Sequence, residues 1–180
     1  MSKRDLSKYD SSWYKPGSNC LVRGLWYMTN VLFFKSACST CYGFKRFLLR
    51  CYGAKVGKKV VIKPCVNIKY PWRLEIGNYS WIGENVWIDN LGEVSIGANC
   101  CISQGAMLLC GNHDFKKESF DLKTGDIVLK DGAWVGAKAI VCLGVTLGED
   151  SVLTAGSVAT KDISAKSVWQ GNPAVLKKEL

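Results

Sequence analysis

The chain has 180 residues, a formal net charge of +9, nine cysteines and a single histidine. This length suits one domain with a sizeable core, and nine cysteines without a secretion signal favour free thiols in a reducing cytoplasm. The basic residues are scattered rather than gathered into a stripe, which argues against a nucleic-acid partner. One histidine lacks the partners for a zinc site, so no metal is expected.

Residues 1–55 show no short repeat and are predicted to be an N-terminal arm and a helical cap. Two apolar stripes at helical spacing lie within residues 20–52, namely Leu21, Leu25, Met28, Leu32 and Phe33, then Phe44, Phe47, Leu48 and Cys51. The apolar run is too short to span a bilayer. The neighbouring basic residues leave open a peripheral contact with the inner face of a membrane. A cap buried on the rest of the domain is the alternative.

An aliphatic residue recurs at every sixth position from residue 56 onward. The column is Val56, Ile62, Ile68, Ile76, Ile82, Ile88, Ile96, Ile102 and Leu108, then Leu129, Val135, Val141, Leu147, Leu153 and Ala159. A period of six fits neither a helix nor a long alternating strand. It is typical of a parallel β-helix, a solenoid whose coils stack on their neighbours. Residues 56–164 are therefore predicted to form an all-β solenoid with this column inside.

A second column is predicted to point outward from the coils. It contains Trp81, Trp87, Cys101, Met107, Trp134 and Ile140. A monomer rarely exposes so much apolar surface, so we expect the faces to pack against copies of the chain, most simply as a trimer. Trp134 is the best candidate in this column for lining a ligand groove.

The repeat is interrupted once, between Leu108 and Leu129. About fifteen extra residues leave the coil there, and residues 112–128 are predicted to form a protruding loop. Long loops in regular repeats are usually functional. His113 stands where this loop begins, and a neutral imidazole is the commonest general base near neutral pH. A surface histidine without a role is the alternative.

Residues 165–180 form a C-terminal extension after the repeat. Pro173 is a favourable first residue of a helix, so a short helix is expected to follow it. This helix would cover the open strand edges at the second end of the solenoid.

Several motifs resemble those of one known family over nearly the whole chain. They are Gly53-Ala54-Lys55-Val56-Gly57, Trp81-Ile82-Gly83, Ile102-Ser103-Gln104-Gly105, Gly111-Asn112-His113-Asp114, Asp131-Gly132-Ala133-Trp134-Val135-Gly136 and Gln170-Gly171-Asn172-Pro173-Ala174. In these the chain resembles the hexapeptide-repeat acetyltransferases, and within them the colanic acid biosynthesis acetyltransferase group. The resemblance implies a left-handed parallel β-helix, a homotrimer, and an acetyl-CoA site between adjacent subunits.

The resemblance also implies roles for particular residues. The catalytic histidine of the family falls on His113, whose ring would be oriented by Asp114 or by a backbone carbonyl. The implied CoA-binding residues are Trp134, Gly136, Ala137, Ala155, Thr160, Lys161, Lys177 and Lys178. The acceptor-binding Asn and Asp of the galactoside-type relatives do not fall on like residues of this chain, and Asp89, Asn90 and Asp114 are the substitutes considered for binding a carbohydrate acceptor. Relatives often carry Lys or Arg after Pro-Ala, whereas this chain has Val175 there, so Lys177 or Lys178 would replace that phosphate contact.

The expected function is O-acetylation of a sugar hydroxyl by acetyl-CoA in exopolysaccharide or surface polysaccharide biosynthesis. The expected location is the cytoplasm, with the inner membrane face as an option. Two alternatives stay open: N-acetylation of an amino sugar or antibiotic, which needs the same base, and a non-catalytic solenoid scaffold.

Overall fold

A computed structural model describes residues 4–180 as two helices followed by a β-helix. The helices are α1 (Cys20–Thr29), which continues as a wider turn over Asn30–Phe34, and α2 (Tyr42–Cys51). The strands are β1 (Lys55–Val56), β2 (Val61–Ile62), β3 (Asn67–Ile68), β4 (Leu74–Ile76), β5 (Trp81–Ile82), β6 (Trp87–Asp89), β7 (Val94–Ile96), β8 (Cys101–Ile102), β9 (Met107–Leu109), β10 (Gly111–His113), β11 (Leu122–Thr124), β12 (Ile127–Leu129), β13 (Trp134–Val135), β14 (Ile140–Cys142), β15 (Thr146–Leu147), β16 (Val152–Leu153), β17 (Val158–Ala159), β18 (Ser167–Gly171) and β19 (Ala174–Glu179).

Each coil contributes one strand to each of three sheets. Sheet 1 has the order β1-β4-β7-β12-β15, sheet 2 the order β2-β5-β8-β13-β16-β18-β19, and sheet 3 the order β3-β6-β9-β14-β17. The parallel register returns after 20 residues in early coils, with Ile62 opposite Ile82, and after 18 in later coils, with Val135 opposite Leu153. Ile102 lies opposite Val135, 33 residues on, so 15 residues beyond the later period leave the coil there. The predicted parallel β-helix is confirmed.

The aliphatic column fills the interior of the β-helix. From Ile62 to Ala159 its members are at most 1% exposed. The small residues two positions before the next aliphatic, such as Ser80 and Cys100, are equally buried beside it. Removing one Ile side chain from water contributes roughly 1.5–3 kcal/mol, so the repeat itself supplies most of the hydrophobic stabilisation.

The helical cap covers the first coil, but with a different face from the one that the sequence pattern suggested. The large apolar cap residues that are buried are Trp26, Phe34 and Leu49. Most of the predicted stripe of α1, including Leu25 at 53% and Met28 at 55%, faces away from the β-helix. Neither helix among residues 4–180 has the length and hydrophobicity needed to cross a bilayer.

Basic side chains of α2 cap the open strand edge of the first coil. Lys45 Nζ donates to the carbonyl oxygens of Ile62 and Lys63 at 3.3 and 2.9 Å. Arg46 donates to the carbonyl of Val60, and Arg50 to those of Val56 and Gly57. Buried backbone groups need partners, and these side chains supply donors where no earlier strand exists. Some of the basic residues that lie near the apolar run in the sequence thus have a structural role.

The prediction of a C-terminal helix is wrong. Residues 174–179 form β19, which pairs antiparallel with β18, and β18 in turn extends sheet 2 beyond β16. A helix of so few residues is marginal on its own, whereas β18 offers a row of unpaired backbone groups. The segment therefore closes the second end of the β-helix as a strand, with a cis peptide bond between Asn172 and Pro173 in the turn.

Candidate active site

The interruption of the repeat folds as a β-hairpin at one corner of the β-helix. Strands β10 and β11 pair antiparallel, with His113 opposite Leu122. The backbone N–H of Gly125 donates to the carbonyl of Cys110 at 2.9 Å, which joins the points where the chain leaves and re-enters the coil. Sheet 1 resumes at Ile127, opposite Val94. The hairpin thus projects from a closed, rigid coil.

The imidazole of His113 is held by two groups of the hairpin and one of the arm. Its Nδ1 lies 2.9 Å from the carbonyl oxygen of Phe120, and since a carbonyl only accepts, Nδ1 carries the proton in this contact. The Phe120 ring stacks on the imidazole with centroids 4.4 Å apart and an interplanar angle of 5°. Tyr9 packs against the imidazole at a centroid distance of 5.7 Å. Nε2 is left as the ring nitrogen that can accept a proton.

The N-terminal arm packs along the hairpin. The backbone N–H of Asp5 donates to the carbonyl of Glu118 at 3.0 Å, and Lys8 Nζ lies 2.8 Å from the Glu118 carboxylate. Further along the arm, the Tyr14 hydroxyl donates to the carbonyl of Leu91 at 2.8 Å. Sequence reasoning missed this arrangement, and Tyr9 with it, because the arm carries no repeat or motif.

The carboxylate of Asp114 is turned toward lysine rather than toward the imidazole. It lies 3.0 Å from Lys123 Nζ and accepts a hydrogen bond from the backbone N–H of Lys116. The hydrogen bond from Lys123, followed by that from Lys116, lowers the pKa of Asp114. Of the two orienting groups considered for His113, it is a backbone carbonyl that contacts Nδ1.

The two acceptor candidates on β6 and just after it differ in accessibility. The Asp89 carboxylate forms an ion pair with Lys69 Nζ at 2.9 Å and remains partly exposed. The Asn90 side chain is 0% exposed. Its amide nitrogen donates hydrogen bonds to the carbonyls of Tyr70 and Arg73, and its amide oxygen accepts one from the backbone N–H of Tyr70. Asn90 therefore holds the corner between two coils, and only Asp89 of this pair reaches the surface.

Trp134 is half exposed on sheet 2, where it lies between Cys101 and Val152 of the neighbouring coils. Its indole N–H donates to the Ser103 hydroxyl at 2.9 Å, which fixes the orientation of the ring. The outward column predicted from the sequence is thus found on the faces, with Trp81 57% and Trp87 38% exposed.

Gly136, Ala137 and Ala155 lie together at the corner that follows Trp134. The backbone N–H of Gly156 donates to the carbonyl of Ala137, so the two turns stack. A Cβ at position 136 would lie 2.5 Å from the backbone nitrogen of Ala155. Close stacking of the coils therefore explains the glycine, which is buried, and of these three residues Ala155 is the one that is exposed.

The four remaining CoA candidates lie at the C-terminal end of the β-helix. Thr160 and Lys161 are exposed in the turn after β17, and Lys161 Nζ lies 5.3 Å from the centre of the Trp169 ring. Lys178 is opposite Val168 in sheet 2, and Lys177 lies beside it at a bulge. Val168 is opposite Val152, so Lys178 belongs to the row of sheet 2 that contains Trp134.

Comparisons with known proteins agree with this architecture. No family model matches the chain. The chain is 38% identical over 176 residues to WcaF of Escherichia coli K12, described as a colanic acid biosynthesis acetyltransferase, an alignment that covers 98% of this chain and 97% of that protein. It is 29% identical over 130 residues to the galactoside O-acetyltransferase of the same organism, covering 71% of this chain and 64% of that one.

Among solved structures, a galactoside acetyltransferase in complex with coenzyme A superposes with a TM-score of 0.78 at 25% identity, covering 88% of this chain and 80% of that one. Fold, repeat and the nearly full-length similarity to WcaF point the same way. The chain belongs to the hexapeptide-repeat acetyltransferases, in the group of the colanic acid biosynthesis acetyltransferases.

Proposed function

We propose that the protein transfers the acetyl group of acetyl-CoA to a sugar hydroxyl during the synthesis of a surface polysaccharide. The observation that carries the proposal is the single imidazole, held by Phe120 with Nε2 free, in a chain 38% identical to a colanic acid biosynthesis acetyltransferase. The galactoside relative, an O-acetyltransferase by name, supports oxygen as the acceptor atom.

In this reaction His113 acts as a general base. Nε2 takes the proton of the acceptor hydroxyl while the hydroxyl oxygen bonds to the thioester carbonyl carbon. The carbon–sulfur bond then breaks, and the imidazolium returns the proton to the departing thiolate. The Phe120 carbonyl accepts a hydrogen bond from Nδ1–H throughout and stabilises the positive charge that the ring acquires. No covalent acyl-enzyme is required, and the hairpin positions the base.

We place the CoA site along sheet 2 and its following corner. The exposed indole of Trp134 offers a flat apolar surface. Ala137 and Ala155 present only small side chains at the adjacent corner, whereas Gly136 is buried against the next coil. Thr160, Lys161, Lys177 and Lys178 supply polar and cationic groups for the CoA phosphates at the C-terminal end. A side-chain set that combines apolar surface, small residues and cations suits the chemistry of CoA.

We propose a homotrimer with this site between adjacent subunits. Trp81, exposed on the face formed by sheet 2, supports contact between copies of the β-helix. A neighbouring face would also complete a groove beside Trp134. On the acceptor side Asp89 and Asp114 are the groups we assign to sugar binding, because both carboxylates are partly exposed, whereas Asn90 is buried.

The substitution His113→Ala tests the proposed base. Because general-base catalysis contributes roughly 10²–10⁴-fold, we expect kcat for sugar acetylation to fall by about that factor. The affinity for CoA, measured by calorimetry, should stay unchanged because the imidazole does not hold the nucleotide. Full activity of the variant would remove His113 from the mechanism.

The same assays separate the two alternatives. Faster acetyl-CoA consumption with amino sugars than with their hydroxyl analogues would favour N-acetylation. A wild-type protein that releases no heat with CoA would be a scaffold. Neither alternative gains support from a particular contact within residues 4–180, so O-acetylation is preferred.

We also propose that the outer face of the helical cap rests on an anionic membrane surface, the inner face of the cytoplasmic membrane. Large apolar side chains that are exposed on the outer face of the cap are Leu21, Leu25, Met28, Leu32, Phe44 and Phe47. Residues 11–74 contain twelve of the 24 basic residues and none of the 15 acidic ones. Apolar surface combined with charge of one sign suits anionic lipid. A second copy of this cap would bring like charges together.

A further inference from the structure

A cavity of about 330 Å³ lies between the helical cap and the first strands of sheet 3. Its lining includes Arg23 and Tyr27 from α1, Lys35 after the wider turn, Lys69 after β3, and Trp87 and Asp89 from β6. This volume falls within the range typical of small-molecule sites. The cavity combines charged groups with aromatic surface, as such sites commonly do.

The charge in the cavity is not balanced. Asp89 is the one carboxylate of the lining and is already paired with Lys69. Within the described part of the chain, neither Arg23 nor Lys35 forms an ion pair. The Nε atom of Arg23 is buried there without a hydrogen-bond partner. Since buried polar atoms nearly always find partners, the guanidinium of Arg23 points to an anionic ligand, and the exposed Lys35 adds a second cation to the lining.

The cavity lies at the corner of the β-helix that carries the catalytic hairpin. Asp89 is opposite Leu109 in sheet 3, and the carbonyl of Asp89 accepts a hydrogen bond from the backbone N–H of Cys110 at 3.2 Å. The hairpin with His113 begins at the next residue, Gly111. A ligand in the cavity therefore lies beside the segment that leads to the proposed base.

We propose that this cavity binds the phosphate or pyrophosphate group through which the acceptor sugar is carried. The guanidinium of Arg23 suits two-point recognition of phosphate oxygens, and the ammonium of Lys35 adds a point charge. The Trp87 side chain, 38% exposed, offers a flat surface to the attached sugar. The assignment rests on the proposed function and deepens it, because it restricts the acceptor to phosphate-linked sugars. A lipid and a nucleotide are two possible carriers with this chemistry.

The test compares acceptors that share one sugar and differ in its carrier. Initial rates are measured with the free sugar, its 1-phosphate, its nucleotide diphosphate form and its isoprenoid pyrophosphate form. The variants are Arg23→Gln and Lys35→Gln, with Lys55→Gln as the control because Lys55 is an exposed lysine on sheet 1, paired only with Glu75. Lys35 is exposed, so its variant tests the cavity even if Arg23→Gln fails to fold.

We expect KM for phosphate-linked acceptors to rise tenfold or more in both cavity variants, since each loses a charge-assisted contact. KM for the free sugar and for acetyl-CoA should not change. The carrier that shows the larger rise is the natural one. Equal losses with free and phosphate-linked sugar would overturn the assignment, as would no loss in either cavity variant.

Calorimetry with inorganic pyrophosphate separates this assignment from the proposed function. Binding by the wild-type protein that Lys35→Gln weakens would support the cavity even if no acceptor were acetylated. Acetylation of sugars without any pyrophosphate binding would support the enzyme and reject the cavity.

Discussion

The orientation of His113 depends on an unusual backbone at Phe120. This residue has a φ of 52°, in the left-handed region that a bulky side chain rarely adopts. The conformation directs the Phe120 carbonyl to Nδ1 while its ring covers the imidazole. Backbone strain of this kind concentrates at functional sites. Phe120 is therefore a positioning residue for the base.

The substitution Phe120→Gly separates these two contacts, because glycine accepts the same φ and keeps the carbonyl while removing the ring. We expect kcat to fall by about tenfold, less than the roughly 10²–10⁴-fold loss for His113→Ala. KM for acetyl-CoA should stay the same, since the ring covers the imidazole and not the proposed CoA site. A variant with unchanged kcat would assign Phe120 to hairpin folding alone.

At the level of single residues, the sequence identified the groups with distinctive chemistry and missed those whose role is geometric. His113 stood out as the only histidine, next to the break in the repeat. Phe120 and Tyr9 had no such signal, because a backbone carbonyl and an aromatic edge acquire a role only through tertiary contact. Asn90 was expected to bind substrate. The local sequence does not reveal whether its amide is exposed or, as here, buried between two coils.

Helix α2, which covers the open strand edge of the first coil, carries one buried cation, Lys45. Lys45 is 0% exposed, and its nearest polar groups are the two carbonyls that it caps. Burial lowers the pKa of Lys45. Its charge is thus costly to bury, and the carbonyls at the strand edge offset that cost.

We expect Lys45→Met to destabilise the protein by about 1.5–3 kcal/mol, because it leaves two backbone carbonyls without a donor. Chemical denaturation measures the change, with the exposed Lys55→Met as control. Because the folded-state pKa lies below the unfolded value of 10.5, the unfolded chain binds more protons between the two. The stability of the wild type relative to Lys45→Met should therefore rise with pH in that window. A flat difference, or a variant as stable as the wild type, would contradict the capping role.

The apolar stripe of the helical cap was correctly located and wrongly oriented. Periodicity shows that a helix has an apolar face, but it does not show on which side the core lies. Trp26 and Phe34 fill the contact with the first coil, and the longer stripe remains outside. The failed C-terminal helix has a related cause, because local propensity competes there with the open edge of β18.

The outer face of the cap should bind lipid vesicles that contain phosphatidylglycerol and not vesicles of phosphatidylcholine alone. We expect the double substitution Leu25→Glu and Met28→Glu to reduce sedimentation with anionic vesicles at least tenfold. Negative charges would then replace the apolar surface that inserts into the lipid. Leu180→Glu, a similarly exposed leucine at the other end of the chain, should not matter. Equal binding by all variants would reject the membrane contact. If the Leu25 and Met28 variant instead differed from the wild type in oligomeric state, this face would be a contact between copies of the chain.

The three sheets of the β-helix form three flat faces, and exposed tryptophans lie on two of them. Trp81→Glu should convert the proposed trimer to a monomer at micromolar concentration, because the interface would have to bury an unpaired charge. Light scattering after size-exclusion chromatography measures the mass. Tyr79→Glu is the matched control, since Tyr79 is 50% exposed at a corner rather than on a face. A Trp81→Glu variant of unchanged mass would move the interface elsewhere.

At this scale the fold was the most predictable property, because one six-residue period repeats over more than a hundred residues and every coil confirms the next. The lining of a surface cavity was the least predictable. Arg23 and Asp89 are 66 positions apart in the sequence and meet only when α1 is laid across β3 and β6. No local pattern encodes that contact.

The hydrogen bond between Gly125 and Cys110 has a consequence for how such enzymes diversify. Because the chain departs and returns through one backbone link, the scaffold beneath keeps its shape whatever the excursion contains. Natural variation can lengthen, shorten or rewrite the excursion without disturbing the stacked coils. Changes in the hairpin could thus alter which acceptor is used, while the proposed CoA site on sheet 2 keeps its structure.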